Sequence, residues 1–310
     1  MFDPREFIEK MIEKVRNRVG EERVVSACSG GVDSTTSTFL AHKALGNSLV
    51  AVFIDDGLRR EGEPEFVVEL LKRLELNYRY VDAKKDFFVG LKNKIDAEEK
   101  RKTFREIFYR KLGEVVKEEG AKFLIQGTIA ADVVETVGGI KTQHNVLEQI
   151  GIDPREYGFE LIEPLKDLYK PEVREVAREL GLPEEISKRM PFPGPALSIR
   201  VLGEVTPERV EIVRRATKIV EEETKNIKTF QSFAVLHNDR ATGIKNGKRV
   251  YGNIITIRLV ESEDAIEARV VEAPHELLKR ISKRITDEIS SVVKCLFDIT
   301  DKPPSTIEFE

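Results

Sequence analysis

Apolar positions repeat at helical spacing near the start of the chain, at Phe7, Ile8, Met11, Ile12, Val15 and Val19, and stop at Gly20, a residue suited to a helix C-cap. The pattern then changes. Arg23-Val24-Val25-Ser26-Ala27-Cys28 is a continuous apolar run of strand length, and residues 35–44 read as a helix. Ser48-Leu49-Val50-Ala51-Val52-Phe53-Ile54 repeats the strand pattern, residues 64–74 read as a helix, and Tyr78-Arg79-Tyr80-Val81-Asp82 as a short strand. Phe104, Ile107, Phe108, Leu112, Val115 and Val116 mark a helix within 103–119, and residues 122–128 form a strand that meets a glycine turn. Strand and helix alternate four times, which predicts an α/β fold with a doubly wound parallel sheet. Phe87-Phe88 and the charged run through Lys102 predict a helix-rich excursion with one buried edge, whose charge lies mostly on a solvated face.

A helix over 171–180, with proline at its start and Gly181 at its end, precedes a break in the pattern. Pro191-Phe192-Pro193-Gly194-Pro195 can be neither helix nor central strand and reads as a rigid linker. Beyond it Thr206-Pro207 opens a helix to about 224, and residues 229–236 and 250–260 read as strands around a turn at Asn246-Gly247. A helix over 274–290 and a strand over 292–299 complete a smaller α+β domain of helix and antiparallel strand. The expected boundaries are residues 1–190, a hinge at 191–203, and 204–310. So few residues leave a one-sided sheet to cover, so self-association into a homodimer is expected.

The 310 residues suffice for two domains, and 40% apolar content without a long apolar run predicts no transmembrane helix. The charged start, Met1-Phe2-Asp3-Pro4-Arg5-Glu6, lacks a signal-peptide core, and a cytoplasmic location is expected. Cys28 and Cys295 are too few for a disulfide framework or a Cys-rich metal site, and both read as small buried hydrophobes. A net charge of −4 offers no electrostatic footprint for nucleic acid, so neither nucleic acid nor membrane is expected as a partner. Charged residues at 34% with no Trp match the ion-pair-rich composition of thermophilic proteins.

The chemistry centres on Ser29-Gly30-Gly31-Val32-Asp33-Ser34, between the first strand and the following helix. A strand turning through two glycines into a helix presents backbone N–H groups and a positive helix end to an anion, and the serine hydroxyls add donors. Phosphate is the expected ligand. For a bare glycine pair a capped turn is the alternative, but the six-residue string in this setting points to anion binding. It is neither a Walker-type P-loop nor a dinucleotide fingerprint. The loop Asp55-Asp56-Gly57-Leu58-Arg59-Arg60 follows the end of a strand, where a doubly wound sheet binds ligands, although a solvated turn fits its spacing equally well.

The six-residue string resembles the SGGxDS loop of N-type ATP pyrophosphatases, which cleave ATP between the α and β phosphates. That resemblance implies Asp33 for Mg²⁺ and Ser29, Gly30, Gly31, Val32 and Ser34 for phosphates. Ile54, Gly127 and Thr128, at the ends of their strands, join the expected nucleotide-binding set. Further strings resemble GMP synthase. Asp132-Val133-Val134-Glu135-Thr136 and Ile140-Lys141-Thr142-Gln143-His144-Asn145 are similar to its D-V-I-E-S and I-K-S-H-H-N motifs, with Thr142-Gln143 where Ser-His is usual. Residues 189–200 resemble its R-H-P-F-P-G-P-G-L-A-x-R segment, with Met190 for His and Ala196 for Gly. Residues 302–310 are similar to its K-P-P-x-T-I-E-W-E terminus, with Phe309 for Trp.

The family resemblance implies an enzyme that forms a C–N bond. The C2 oxygen of XMP attacks the α-phosphate of ATP, pyrophosphate leaves, and ammonia displaces AMP to give GMP. It implies Asp33 and Lys141 as catalytic residues, and Arg60, Gln231, Lys302, Thr306, Ile307 and Glu308 as contacts to XMP. A glutaminase needs a cysteine nucleophile with a histidine partner, and neither cysteine is placed for that role. Ammonia is therefore expected from a separate glutamine amidotransferase subunit. Two rivals are another enzyme on the same loop, such as an NAD synthetase or a tRNA thiolase, and a non-catalytic adenine-nucleotide sensor. The linker and tail strings argue against the first.

Overall fold

The structure, a computed structural model, describes residues 2–130, 132, 147, 153–187, 189–263 and 265–310. By compactness the chain divides into two units. One comprises Met1–Asp56, Gly62–Lys84 and Phe104–Arg189, the other Gly57–Glu61, Lys85–Thr103 and Met190–Glu310. Residues 191–203 therefore lie wholly in the second unit, and the chain passes between the units at several points besides that stretch.

The first unit is built on a five-stranded parallel sheet in the order β3-β2-β1-β4-β5, with β1 Val24–Ala27, β2 Leu49–Asp55, β3 Tyr78–Asp82, β4 Phe123–Ile125 and β5 Glu160–Ile162. Every residue of β1 and β2 is buried, as a parallel sheet covered on both faces requires. Helix α1 (Pro4–Val19) is capped by the Asp3 side chain, which accepts from the Arg5 and Glu6 N–H groups, and it ends at Gly20 with φ 60°. It joins α2 (Val32–Leu45) and α3 (Glu63–Arg73) around a core that includes Val15, Val24, Leu40, Phe53, Leu71, Ile125 and Val176. Helix α6 (Lys170–Glu179), with proline in its first turn, adds Val173, Val176 and Ala177. A short helix, α7, spans Glu184–Ser187.

The expected doubly wound parallel sheet is present, with four differences in detail. Helix α2 begins at Val32, so Asp33 and Ser34 occupy its first turn, whereas the sequence reading started the helix at residue 35. Strand β5 escaped the pattern because three residues, Glu160-Leu161-Ile162, carry too little periodicity to register. Helix α4 (Lys84–Leu91) precedes α5 (Ala97–Glu118), which starts six residues ahead of the expected 103. Within the charged run, Lys100 is fully buried rather than solvated, because its ammonium meets the Val201 carbonyl at 2.7 Å and pairs with Glu310.

In the second unit, α8 (Pro207–Glu223) takes Thr206 as its N-cap, the hydroxyl accepting from the Arg209 N–H at 3.3 Å. Strands β6 (Gln231–Lys245) and β7 (Lys248–Glu261) form a long antiparallel hairpin. Its two-residue turn is Asn246-Gly247, both at positive φ, the geometry that matches strand twist. The short β8 (Arg269–Val270) extends the sheet antiparallel to β7, but β9 (Val292–Phe297) pairs parallel to it. Antiparallel pairing was expected there. Helix α9 (His275–Glu288) lies between β8 and β9 and supplies the crossover a parallel pair needs. Residues 196–200 form a buried 3₁₀ turn after the prolines, with Arg200 inside it.

Candidate active site

The loop of Ser29 to Ser34 follows from how β1 ends. Cys28 N–H still bonds the Val52 carbonyl at 2.9 Å, and the chain then leaves the sheet through Gly30 at φ 79°. A side chain is excluded at Gly30, since a Cβ would stand 2.4 Å from Val67. Gly31 caps α2 without any side-chain capping bond, so the first N–H groups of α2 remain as donors for an anion. The hydroxyls of Ser29 and Ser34 are 3.0 Å apart, and Ser34 Oγ also accepts from the Ser29 N–H at 3.2 Å. Val32 is buried beneath them.

Gly127 is drawn to the same place. A Cβ there would stand 2.7 Å from the Asp33 carbonyl carbon and from the Ser34 nitrogen, so the end of β4 rests on the first turn of α2. Ser37 Oγ donates to the Gln126 carbonyl at 3.1 Å, and Gln126 joins Tyr109 at 2.8 Å to Thr128 at 3.4 Å. Burial pushes the Tyr109 hydroxyl well above the ordinary tyrosine value, so it serves here as a donor. Ile54 is buried two residues beyond Val52, the register partner of Ala27, and so lies level with the start of the loop.

Asp33 Oδ2 accepts from Lys170 Nζ at 2.5 Å, while Asp33 Oδ1 is buried and has no hydrogen-bond partner among the described residues. An orphaned carboxylate oxygen beside phosphate donors suits a divalent cation. Among the described residues no cluster of three His, Cys, Asp or Glu stands ready to hold a metal. A Mg²⁺ here would take Asp33 and substrate phosphates, its usual arrangement with nucleotides. Lys170 was not picked out from the sequence, because 137 residues separate it from Asp33 and no local pattern marks it. Cys28, the residue before the loop, is held as the neutral thiol by burial. Lys141, Gln143 and His144 lie outside the described residues.

In the second unit Arg60, Gln231 and Glu308 of the predicted set are tied to the Pro191-Phe192 stretch, directly or through Arg200. The Arg60 guanidinium lies 4.4 Å from the ring centroid and Arg200 5.2 Å from it, with Arg200 also 3.9 Å over Phe233. Arg60 Nη2 and Gln231 Nε2 both donate to the Pro191 carbonyl at 3.2 Å, and Arg60 pairs with Glu221 at 2.9 Å. Glu308 is held by Arg200 through two hydrogen bonds. Buried Gln231 Oε1 and buried Arg200 Nη1 have no hydrogen-bond partner among the described residues.

The tail is fixed along its length. Arg258, fully buried, donates to the Thr300 and Thr306 carbonyls and pairs with Asp298 at 3.0 Å. Thr306 Oγ1 donates to the Glu308 carbonyl, placing Ile307 between them. Lys100 and Arg101 hold Glu310. Lys302 is engaged elsewhere: Nζ donates to the Ala265 carbonyl at 2.7 Å and its backbone pairs with Ala268. In this unit Arg200, Arg258 and Lys100 are residues the sequence reading missed, as it missed Lys170. The stretch before the 3₁₀ turn gave a signal for Arg200, at the end of the quoted Pro-rich string, and none marked the other two.

Family profiles described as PP-loop domain and GMP synthase C terminal domain match residues 4–183 and 218–309. Relatives include a glutamine-hydrolyzing GMP synthase subunit of Methanopyrus kandleri, 52% identical over 318 residues with all of both chains covered. The protein of the same name in Archaeoglobus fulgidus is 52% identical across 99% of this chain and all of the relative, and that in Thermococcus kodakarensis 52% across 98% and 99%. Among solved structures, NMN synthetase from Francisella tularensis superposes with a TM-score of 0.50 at 18% identity, covering 68% of this chain and 85% of that one. That likeness concerns the fold.

Proposed function

The chain belongs to the family of these glutamine-hydrolyzing GMP synthase subunits, and on that premise we propose that it converts XMP to GMP with ATP and ammonia. It is an ATP-using ligase that forms a C–N bond, and the alternatives on the same loop are not favoured. The observation that carries the substrate assignment is the second unit, where Phe192, Arg60, Gln231 and the anchored tail gather.

In the first step the C2 oxygen of XMP attacks the ATP α-phosphate, and pyrophosphate leaves as negative charge builds on it. We assign that charge to the N–H groups of Gly31 to Ser34 and the hydroxyls of Ser29 and Ser34, donors fixed before the reaction begins. Mg²⁺ bound at Asp33 would neutralise the same oxygens. Lys170 compensates the Asp33 charge, and Lys141, by resemblance, adds a cation to the polyphosphate. Ile54, Gly127 and Thr128 shape the nucleotide end. Arg60 is assigned to the XMP phosphate, with Gln231, Thr306, Ile307 and Glu308 around the nucleotide; Lys302, whose ammonium holds the Ala265 carbonyl, keeps its assignment to that phosphate by resemblance alone. Adenylyl-XMP then loses AMP to ammonia.

A separate glutamine amidotransferase subunit supplies the ammonia. We place the enzyme in the cytoplasm; among the described residues no helix is long and apolar enough to cross a membrane. A homodimer through the second unit's sheet is supported by the exposure of Ile244, Tyr251, Leu296 and Ile299 on or beside β6, β7 and β9. The purified chain is expected to form GMP with ammonium and none with glutamine. Glutamine-dependent turnover by the pure chain would overturn the division of labour.

A further inference from the structure

Arg189 heads the Pro-rich string, yet its guanidinium serves the phosphate loop. Nη1 donates to the Gly30 carbonyl at 2.6 Å, Nη2 to Glu63 Oε1 at 2.6 Å, and the plane sits 4.7 Å from the Phe66 ring centroid. Glu63, Phe66 and Val67 stand at i, i+3 and i+4 on α3 and so share one helix face. That face and Arg189 together cradle Gly30, whose absent side chain would strike Val67 first and Arg189 Nη1, at 3.1 Å, next. The Gly30 carbonyl is thereby fixed.

We propose that Arg189 is a positioning residue for the pyrophosphate portion of ATP, acting through the Gly30–Gly31 peptide. A trans peptide carries its C=O and N–H on opposite sides. Holding the Gly30 carbonyl against Arg189 turns the Gly31 N–H away from it, as a donor for the anion. Gly30 sits at φ 79°, a conformation glycine enters and leaves freely, so without the clamp the peptide can rotate and the donor is lost. A carbonyl swung into an anion site would repel the ligand as well. Glu63, nearly buried, fixes the guanidinium in turn through a charge-assisted bond.

This inference rests on the reading that the loop of Ser29 to Ser34 holds pyrophosphate. Its test is the binding of Mg²⁺-pyrophosphate by calorimetry, with steady-state kinetics alongside, for the wild type, Arg189→Met, Arg189→Lys and Glu63→Gln. Arg189→Met should weaken pyrophosphate binding and raise KM for ATP by about tenfold, the loss of one charge-assisted bond, and leave KM for XMP within about twofold. Arg189→Lys, a compact ammonium without the planar fork, should fall between, and Glu63→Gln should shift the same quantities by less. Unchanged pyrophosphate affinity in Arg189→Met overturns the proposal. So does a parallel rise of both KM values, which a purely structural role would give. If Arg189→Met fails to fold, the lysine and Glu63 variants decide by the same criteria. A wild type that binds pyrophosphate without XMP-dependent turnover faults the functional reading and leaves this one standing.

Discussion

Arg200 and Glu308, 108 residues apart in the chain, meet through two hydrogen bonds, Nε to Oε2 at 2.9 Å and Nη2 to Oε1 at 2.8 Å. Arg200 is 1% exposed and lies over Phe233, so a flat fork in an apolar setting sets the position of a tail carboxylate. Removing one partner leaves the other charge without compensation. Arg200→Met should destabilise the fold by about 3–5 kcal/mol and raise KM for XMP about tenfold, with KM for ATP unchanged. Thermal melts and separate KM measurements check this, and equal effects on both substrates would speak against a role in holding the tail.

Gly127 tests the join between β4 and the loop of Ser29 to Ser34. A methyl group there meets the backbone of Asp33 and Ser34, which a helix terminus cannot move aside. Gly127→Ala should cost about 1–3 kcal/mol by overpacking and weaken ATP binding more than XMP binding. A stable variant with normal KM for ATP would mean that the contact gives way without disturbing the loop.

Asp33→Asn keeps the shape and removes the charge that would meet a cation, while Lys170 keeps an acceptor. Turnover should fall about 100-fold or more, and added Mg²⁺ should not restore it. Near-normal activity at ordinary Mg²⁺ would remove Asp33 from the metal site.

His237 gives the second unit a pH dependence. Burial holds its imidazole below the ordinary value of 6.5, and its Nε2 is 2.6 Å from Thr256 Oγ1. Asp239, whose charge favours the proton, opposes that shift without reversing it. The unfolded chain therefore takes up this proton first as pH falls. The stability that the neutral ring contributes is intact above pH 6.5 and is lost as pH drops below it. Denaturant midpoints measured from about pH 7.5 to 5 should decline on the acid side, and His237→Gln should flatten that part of the profile. An identical slope in the variant would assign the decline to other groups.

The parallel sheet was legible because buried parallel strands are written as unbroken apolar runs, as at residues 48–54, and because Gly20, Pro171 and Gly181 punctuate the helices. The place of the loop of Ser29 to Ser34 between β1 and α2 was legible too, because two glycines and three polar residues follow an apolar strand. Strand β5 was too short to register, and the parallel β9 needed knowledge of the α9 crossover. The long-range cations were not legible at all. Lys170, Lys100 and Arg258 find their carboxylates or carbonyls only after folding, at separations that no periodicity encodes. Lys100 carried no mark for that reason, since its neighbours in sequence are charged and its neighbours in space are the tail and Val201.

The central claim is that ATP cleavage here serves XMP. Pyrophosphate release by the purified chain, measured with ATP, Mg²⁺ and ammonium, with and without XMP, tests it most directly. Release that requires XMP and matches GMP formed one for one is the predicted result. Release without XMP, or release driven instead by a nicotinate dinucleotide or a tRNA, would contradict it.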